Sequence, residues 1–514
     1  MTEGSLQRRV FQSDTAVLIY LSLITLIIHC IFSGQYGYFR DEFYYLACGE
    51  HLDWGYVDHP PFIALAAFLT RRLLGDSLLA LRFVPALAEA LVVLLTGLMA
   101  RELGGGRFTQ VLAALSVMVA GDLLALGHIF SMNAFDHLFW ALCLYVVILI
   151  LKYDRPRLWL LFGLLAGVGL MNKYSIGFLG LGLVVGLILT PARKYLRSGW
   201  LWLGSGLALL IFLPHVLWEI RTSFPTLEFI RNATLYKIAP LSPVGFILET
   251  ILGMNPLTLP IWLAGLWFYF IAREGKSYRL LGWIYVSVLI LFLSTKAKTY
   301  YFAPAFPMLW AAGALVIEGL IRRCAVQWLK PVLVGALVVG GMVLAPFAMP
   351  VLPVEMFIRY SNWMGFKPPS GETHRTGKLP QFFADMHGWK EMVAVVAEVY
   401  ESLPPEERAK CAIYASNYGQ AGAIDLFGKK YGLPKAICGL NSYYLWGPRD
   451  YTGEILISVG DSVEDNLKAY NEVTTAATIT NEYVMPYENN IPVNICRKPK
   501  APLKELWPMT KVFD

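Results

Sequence analysis

Two clusters in one stretch of the sequence have the residue types for acid–base chemistry. From Gly37 to Phe62 the chain reads GYFRDEFYYLACGEHLDWGYVDHPPF. Asp41 and Glu42 are adjacent carboxylates behind Arg40, and Asp58 and His59 stand directly before Pro60 and Pro61. A carboxylate held in place can take the proton of an acceptor hydroxyl. Tyr36, Tyr38, Phe39, Phe43, Tyr44, Tyr45, Trp54 and Tyr56 surround these acids, and such rings settle at a membrane–water interface. The double proline stiffens the chain leaving His59 and withholds two backbone donors. Asp58 and His59 are also of the types that ligate a divalent metal. His59 binds a phosphate only where an anion keeps it protonated. The competing reading is a solvated loop whose acids merely face water.

What must position these residues is a membrane scaffold. The 514 residues are 56% hydrophobic and 16% charged, with mean hydropathy +0.52, against roughly a quarter charged in soluble domains. Up to about Pro350 the chain runs in long apolar blocks. A span takes about 20 apolar residues, which predicts spans near 14–33, 77–100, 108–127, 133–151, 158–173, 175–191, 199–218, 244–271, 280–295, 302–321 and 331–349. Every second short loop is basic: Arg8 and Arg9; Arg101 and Arg107; Lys152, Arg155 and Arg157; Arg193, Lys194 and Arg197; Arg273, Lys276 and Arg279; Arg322, Arg323 and Lys330. This alternation is a positive-inside signature and not a nucleic-acid footprint. It places the N-terminus inside. The odd number of spans then puts the long loops 34–76 and 219–243, and everything after the last span, outside.

Further candidates sit at the outer ends of the spans. Ser131–Trp140 (SMNAFDHLFW) carries Asp136 one helical turn after Asn133, and an ionisable group within a span marks function by default. Cations for an anionic group are Lys173, Arg221, Arg231, Lys296 and Lys298, with Tyr300 and Tyr301 as hydroxyl donors. Arginine suits bidentate phosphate contact and lysine a point charge. Lys296 and Lys298 lie on a short outer loop, where the charge rule disfavours them. Arg71 and Arg72 fit interfacial snorkelling better.

Residues 351–514 read as a separate α/β domain, extracytoplasmic by the charge rule, following a membrane region over 1–350. Gly388–Leu403 has helical apolar spacing stopped by Pro404–Pro405. Cys411–Tyr414 and Glu454–Val459 read as strands and Ala421–Lys429 as a helix. No phosphate loop, dinucleotide fingerprint or nucleophile elbow is present, which leaves a lid or recognition role. Cys411, Cys438 and Cys496 would allow one disulfide in an oxidising compartment.

An acidic pair after the first helix, a long first outer loop, about eleven helices and an outer C-terminal domain resemble the GT-C glycosyltransferases. The chain is most similar to the protein O-mannosyltransferase and aminoarabinose transferase family (glycosyltransferase family 39), from about Tyr36 to Leu320. The resemblance also rests on Asp58-His59-Pro60, Leu170–Tyr174 (LMNKY), Pro225–Asn232 (PTLEFIRN) and Lys298–Pro307 (KTYYFAPAFP). It implies a polytopic α-helical membrane enzyme that moves a hexosyl or pentosyl group from a polyprenyl-phosphate carrier to a lipid, glycan or protein acceptor outside the cytoplasm. It makes Asp41 the base or acceptor-orienting group, with Glu42 its neighbour. The family's acidic-basic-proline step, which handles metal and lipid phosphate, falls on Asp58-His59-Pro60, with His in place of a permanent cation. Many relatives carry Asp where this chain has Asn133, so Asp136 inherits that acid's part.

Direct displacement at the anomeric carbon predicts inversion, and a phosphate leaving group needs no protonated carboxylic acid. A transporter or lipid flippase is the alternative, but transporters gather ionisable residues near the bilayer midplane. Here they gather at one face. The short N-terminus without a retention signal suggests a bacterial inner membrane and a periplasmic C-terminal domain.

Overall fold

The computed structural model describes residues 13–295, 297–366 and 372–514. Among them, six helices are long and apolar enough to cross a membrane: Asp14–Phe32, Leu78–Glu102, Met132–Tyr153, Gly199–Arg221, Glu274–Ser294 and Leu329–Ala348. Four bent pairs pass the same test together: Arg107–Met118 with Gly121–His128, Ile176–Leu189 with Pro191–Arg197, Pro243–Gly253 with Pro256–Phe270, and Thr299–Ala305 with Pro307–Arg323. With the shorter apolar helix Leu158–Asn172, these occupy the eleven expected positions.

Four of the expected spans are bent. The segment expected over 244–271 turns by 94° at its break. There Asn255 adopts φ of +66° and Pro256 can neither donate to the preceding turn nor tolerate a helical residue before it. The Asn255 side chain makes the break a built feature. Its Oδ1 accepts the Leu257 N–H at 3.1 Å, and its Nδ2 donates to the Val119 carbonyl at 3.1 Å. Val119 lies at the 62° bend of the third span, so the two breaks are tied together.

The chain divides into two compact units, 1–33 with 74–217 and 240–352, and 34–73 with 218–239 and 353–514. In the first, Leu78–Glu102 packs against Asp14–Phe32 and Met132–Tyr153, and Ile176–Leu189 packs against Arg279–Ser294. Gly163 and Gly204 bring Leu158–Asn172 and Gly199–Arg221 into backbone contact, where any side chain would collide, as small residues do between membrane helices. Ile19, Leu23, Ile27 and Ile31 stay exposed along Asp14–Phe32, an apolar face suited to lipid.

The second unit carries a five-stranded sheet of order β2-β1-β3-β5-β4. Its strands are β1 (Cys411–Ala415), β2 (Ala436–Cys438), β3 (Ile455–Val459), β4 (Tyr470–Ile479) and β5 (Ile491–Pro499). The first three are parallel, and β5 runs antiparallel to both β3 and β4. The helix Tyr418–Phe427 links β1 to β2, the crossover that parallel pairing requires. The helices Trp389–Glu401 and Tyr418–Phe427, with β1 and β3, fall where the sequence places them. Cys411, Cys438 and Cys496 are buried and unpaired. Most of the two long loops expected outside, residues 34–73 of the first and 219–239 of the second, belongs to this same unit.

Candidate active-site residues

The helix Arg40–Glu50 sets the first cluster. Its first turn holds Asp41 and Glu42, where carboxylates suit the positive helix end. Glu42 is fully buried and accepts the Phe39 N–H at 2.8 Å, so it caps the helix. The Asp41 side chain is 34% exposed, and its Oδ1 accepts the Tyr418 hydroxyl at 2.9 Å. Arg40 donates to the hydroxyls of Tyr487 at 2.9 Å and Tyr418 at 3.1 Å. The backbone N–H of Arg40 donates to the Asp385 carbonyl at 3.0 Å. Adjacent carboxylates thus have different tasks, one structural and one turned toward solvent.

The second cluster is joined to the first by Tyr44. Its hydroxyl lies 2.7 Å from Asp58 Oδ1 and 2.7 Å from Ser442 Oγ, and it accepts the Ser442 N–H at 3.2 Å. Ser442 Oγ accepts the Val57 N–H at 3.1 Å, which closes the network onto the loop. Burial pushes the Asp58 carboxyl up from its ordinary value and Asp41 adds to this, against the pull of His59 and the Tyr44 hydroxyl.

His59 is fully buried. Its Nδ1 donates to the Pro60 carbonyl at 2.8 Å, and its Nε2 lies 3.8 Å from Cys48 Sγ. The rings of Tyr44, Tyr45 and Tyr56 enclose it. Both ring nitrogens are therefore engaged away from solvent. Among the described residues, no three His, Cys, Asp or Glu side chains gather where they could hold a metal ion. Asp58 and His59 as placed do not fit a metal centre.

In the first unit, the sequence candidates around Asp136 converge. Asp136 is 1% exposed, accepts the Ser175 hydroxyl, and lies 3.6 Å from Lys173 Nζ. Lys173 donates to Asn133 Oδ1 at 2.7 Å. Its ammonium stands 4.4 Å from the centre of the Tyr301 ring and 5.8 Å from that of Tyr300, within range of the ring quadrupole. Ser131 caps this helix through the Asn133 N–H, and Trp140 Nε1 donates to Ser175 at 3.2 Å. One turn of helix and the LMNKY turn thus build a half-buried cation on an aromatic floor.

The remaining cations are dispersed. Arg221 and Arg231 are exposed, and Lys298 is half-buried before the short helix Thr299–Ala305. Arg8, Arg9 and Lys296 lie outside the described residues. The sequence reading missed Tyr418 and Ser175, which bond Asp41 and Asp136, and Tyr487 and Ser442, which bond Arg40 and Tyr44 beside the acids. Ser175 stands two residues beyond Lys173 and was open to notice. The others carry no local signal.

Among the described residues, eleven apolar helical segments, an acidic pair after the first and a small α/β domain at the C-terminal end agree with the GT-C-like fold expected from the sequence. Residues 58–218 match the family dolichyl-phosphate-mannose-protein mannosyltransferase. No curated protein matches the sequence. Among solved structures, ArnT from Cupriavidus metallidurans bound to undecaprenyl phosphate is similar with TM-score 0.63 and 14% identity, over 94% of this chain and 98% of that one. The same protein in its apo state gives TM-score 0.61 and 14% identity, over 93% and 97%. The resemblance to the protein O-mannosyltransferase and aminoarabinose transferase family holds, in sequence over that segment and in fold over nearly the whole chain.

Proposed function

We propose that this protein transfers a sugar from a polyprenyl-phosphate carrier to a hydroxyl acceptor, with Asp41 as base. The observation that carries the reading is Asp41 itself. It is a carboxylate open to solvent, fixed through one oxygen by Tyr418, on the residue that the family resemblance selects. The similar ArnT structure was obtained with undecaprenyl phosphate bound, which supports a lipid-phosphate donor here.

In the proposed step, Asp41 takes the acceptor's proton as the acceptor oxygen bonds to the anomeric carbon. The bond from that carbon to the phosphate oxygen breaks, and the lipid phosphate leaves with the electron pair. Attack opposite the leaving group inverts the configuration. Lys173 offers a compact positive charge for the phosphate, with Tyr300 and Tyr301 beside it as hydroxyl donors, and such preset charges stabilise a departing anion. Arg221, Arg231 and Lys298 are further cations for the lipid phosphate. We keep the orientation read from the loop charges, with the N-terminus cytoplasmic and residues 351–514 outside a bacterial inner membrane.

The purified full-length chain, given a polyprenyl-phosphate sugar and candidate acceptors, should turn the donor over. Asp41→Asn should lose about 10²- to 10⁴-fold in kcat, the usual range for a positioned base, while still binding the lipid. Full turnover by Asp41→Asn would refute the base. Mass spectrometry of the co-purified lipid should identify the donor, and an intact sugar-phosphate lipid carried across vesicles without transfer would favour a flippase.

A further inference from the structure

We propose that the C-terminal domain supplies a positioning residue of the reaction: Tyr418, its proton directed by Arg40, holds the Asp41 carboxylate for proton abstraction. This rests on the reading of Asp41 as the base.

A phenol carries one proton and accepts through its oxygen lone pairs. Arg40 Nη2 donates into the Tyr418 oxygen at 3.1 Å, so the phenolic proton is left for Asp41 Oδ1 at 2.9 Å. Arg40 has little freedom to do otherwise. Its other terminal nitrogen is held by Tyr487 at 2.9 Å, and its guanidinium lies 5.1 Å above the Tyr418 ring. Arg40 Nε is 3.9 Å from Asp41 Oδ1, beyond a hydrogen bond. The carboxylate is therefore oriented through the tyrosine. Burial in particular, and Asp41 and Asp58 nearby, hold the Tyr418 phenol well above its ordinary pKa, so it stays a proton donor across the working range.

The packing shows that this contact is built. The helix Tyr418–Phe427 lies on the helix Arg40–Glu50 with two glycines at the crossing. A Cβ on Gly422 would stand 2.6 Å from Phe43 Cβ, and one on Gly419 would collide with the Arg40 side chain. Asn417 starts the tyrosine's helix by accepting the Gln420 N–H at 3.1 Å. The Tyr418 and Tyr44 rings lie 4.8 Å apart, beside the hydroxyl that reaches Asp58 and Ser442. Two candidate carboxylates of the first outer loop thus receive their hydroxyl partners from, or through, residues beyond position 400.

The test is Tyr418→Phe in the full-length protein, which keeps the ring and loses the hydroxyl. A positioning role predicts a fall in kcat of about 10- to 100-fold, as small misplacements at a reacting group produce. The donor KM should stay within about threefold, and the acid limb of the kcat–pH profile should move to higher pH. Tyr487→Phe, acting one step back through Arg40, should give a smaller change of the same sign, and it decides the matter if Tyr418→Phe does not fold. Unchanged kcat and pH profile in a folded variant would overturn the proposal. Asp41→Asn, assayed alongside, separates the two ideas. If it is inactive while Tyr418→Phe is normal, only the positioning role fails. If it is fully active, the base fails and the positioning role with it.

Discussion

The ammonium of Lys173 donates to the amide oxygen of Asn133 at 2.7 Å, with both side chains half-buried. Lys173 already faces Asp136 at 3.6 Å, so the neutral amide leaves the local group at about zero net charge. Asn133→Asp would make it negative. We expect the donor KM to rise about tenfold, equivalent to ~1.4 kcal/mol of lost phosphate attraction, with kcat less affected. Donor titrations of the purified variant check this.

Removing the cation tests stability as well. Lys173→Met leaves Asp136 buried with the Ser175 hydroxyl as its nearest support. Losing one partner of a buried pair costs on the order of 3 kcal/mol, and thermal unfolding should show it. Lys173→Met combined with Asp136→Asn should recover most of that stability. It should not recover phosphate binding.

Asp385 gives the C-terminal domain a pH dependence of known sign. It is 4% exposed, and burial pushes its carboxyl up to about 7, against the pull of Arg40. An unfolded aspartate titrates near 4, so the folded state holds this proton more tightly. The stability this confers is fully present below about pH 4 and is lost as pH rises through about 7. Between those values the slope approaches ~1.4 kcal/mol per pH unit for one proton. Asp385→Asn should flatten that part of the profile, which melts of the full chain from pH 4 to 8 would show.

Tyr44→Phe removes the hydroxyl shared by Asp58 and Ser442. Ser442 is 1% exposed, and its N–H would lose the partner at 3.2 Å. An unsatisfied buried donor costs about 1–3 kcal/mol. The variant should unfold earlier, and Ser442→Ala should cost a comparable amount, because the Val57 N–H loses its acceptor although the tyrosine oxygen still accepts the residue-442 N–H.

The cysteines of the C-terminal domain are all unpaired. A reductant should therefore leave its unfolding temperature unchanged. A drop of several degrees would reveal a disulfide.

Much of the scaffold was legible because the membrane demands long apolar runs with basic loops alternating between them, and both demands are local in sequence. The breaks were less legible. Pro256 signals one, but the neighbouring bend at Val119 is tied to it by a hydrogen bond from Asn255 across 136 positions. Asp136 stands out in sequence because an ionisable group is costly in an apolar span, and Lys173, Tyr300 and Tyr301 as a cation and hydroxyl donors for an anionic group; the structure brings them together with Asn133. Tyr418 was not, since it contacts Asp41 across 377 positions and resembles any other domain tyrosine. His59 shows another limit. A histidine between an acid and a double proline reads as a ligand, and its ring is buried among tyrosines, a burial that no short motif encodes.

The second compact unit is assembled from 34–73, 218–239 and 353–514, which sets a timetable for biogenesis. Tyr44 and Ser442 stand 398 positions apart, so at roughly 5–20 residues per second the first loop emerges about 20–80 s before its partner exists. During that interval Tyr44 and the rest of its aromatic surround lack their packing, as a nascent segment that a translocon or chaperone must shelter. The same dependence means that a stop codon before position 353 would do more than shorten the protein. It would leave the earliest-made segment of this unit without the surface it needs to fold upon.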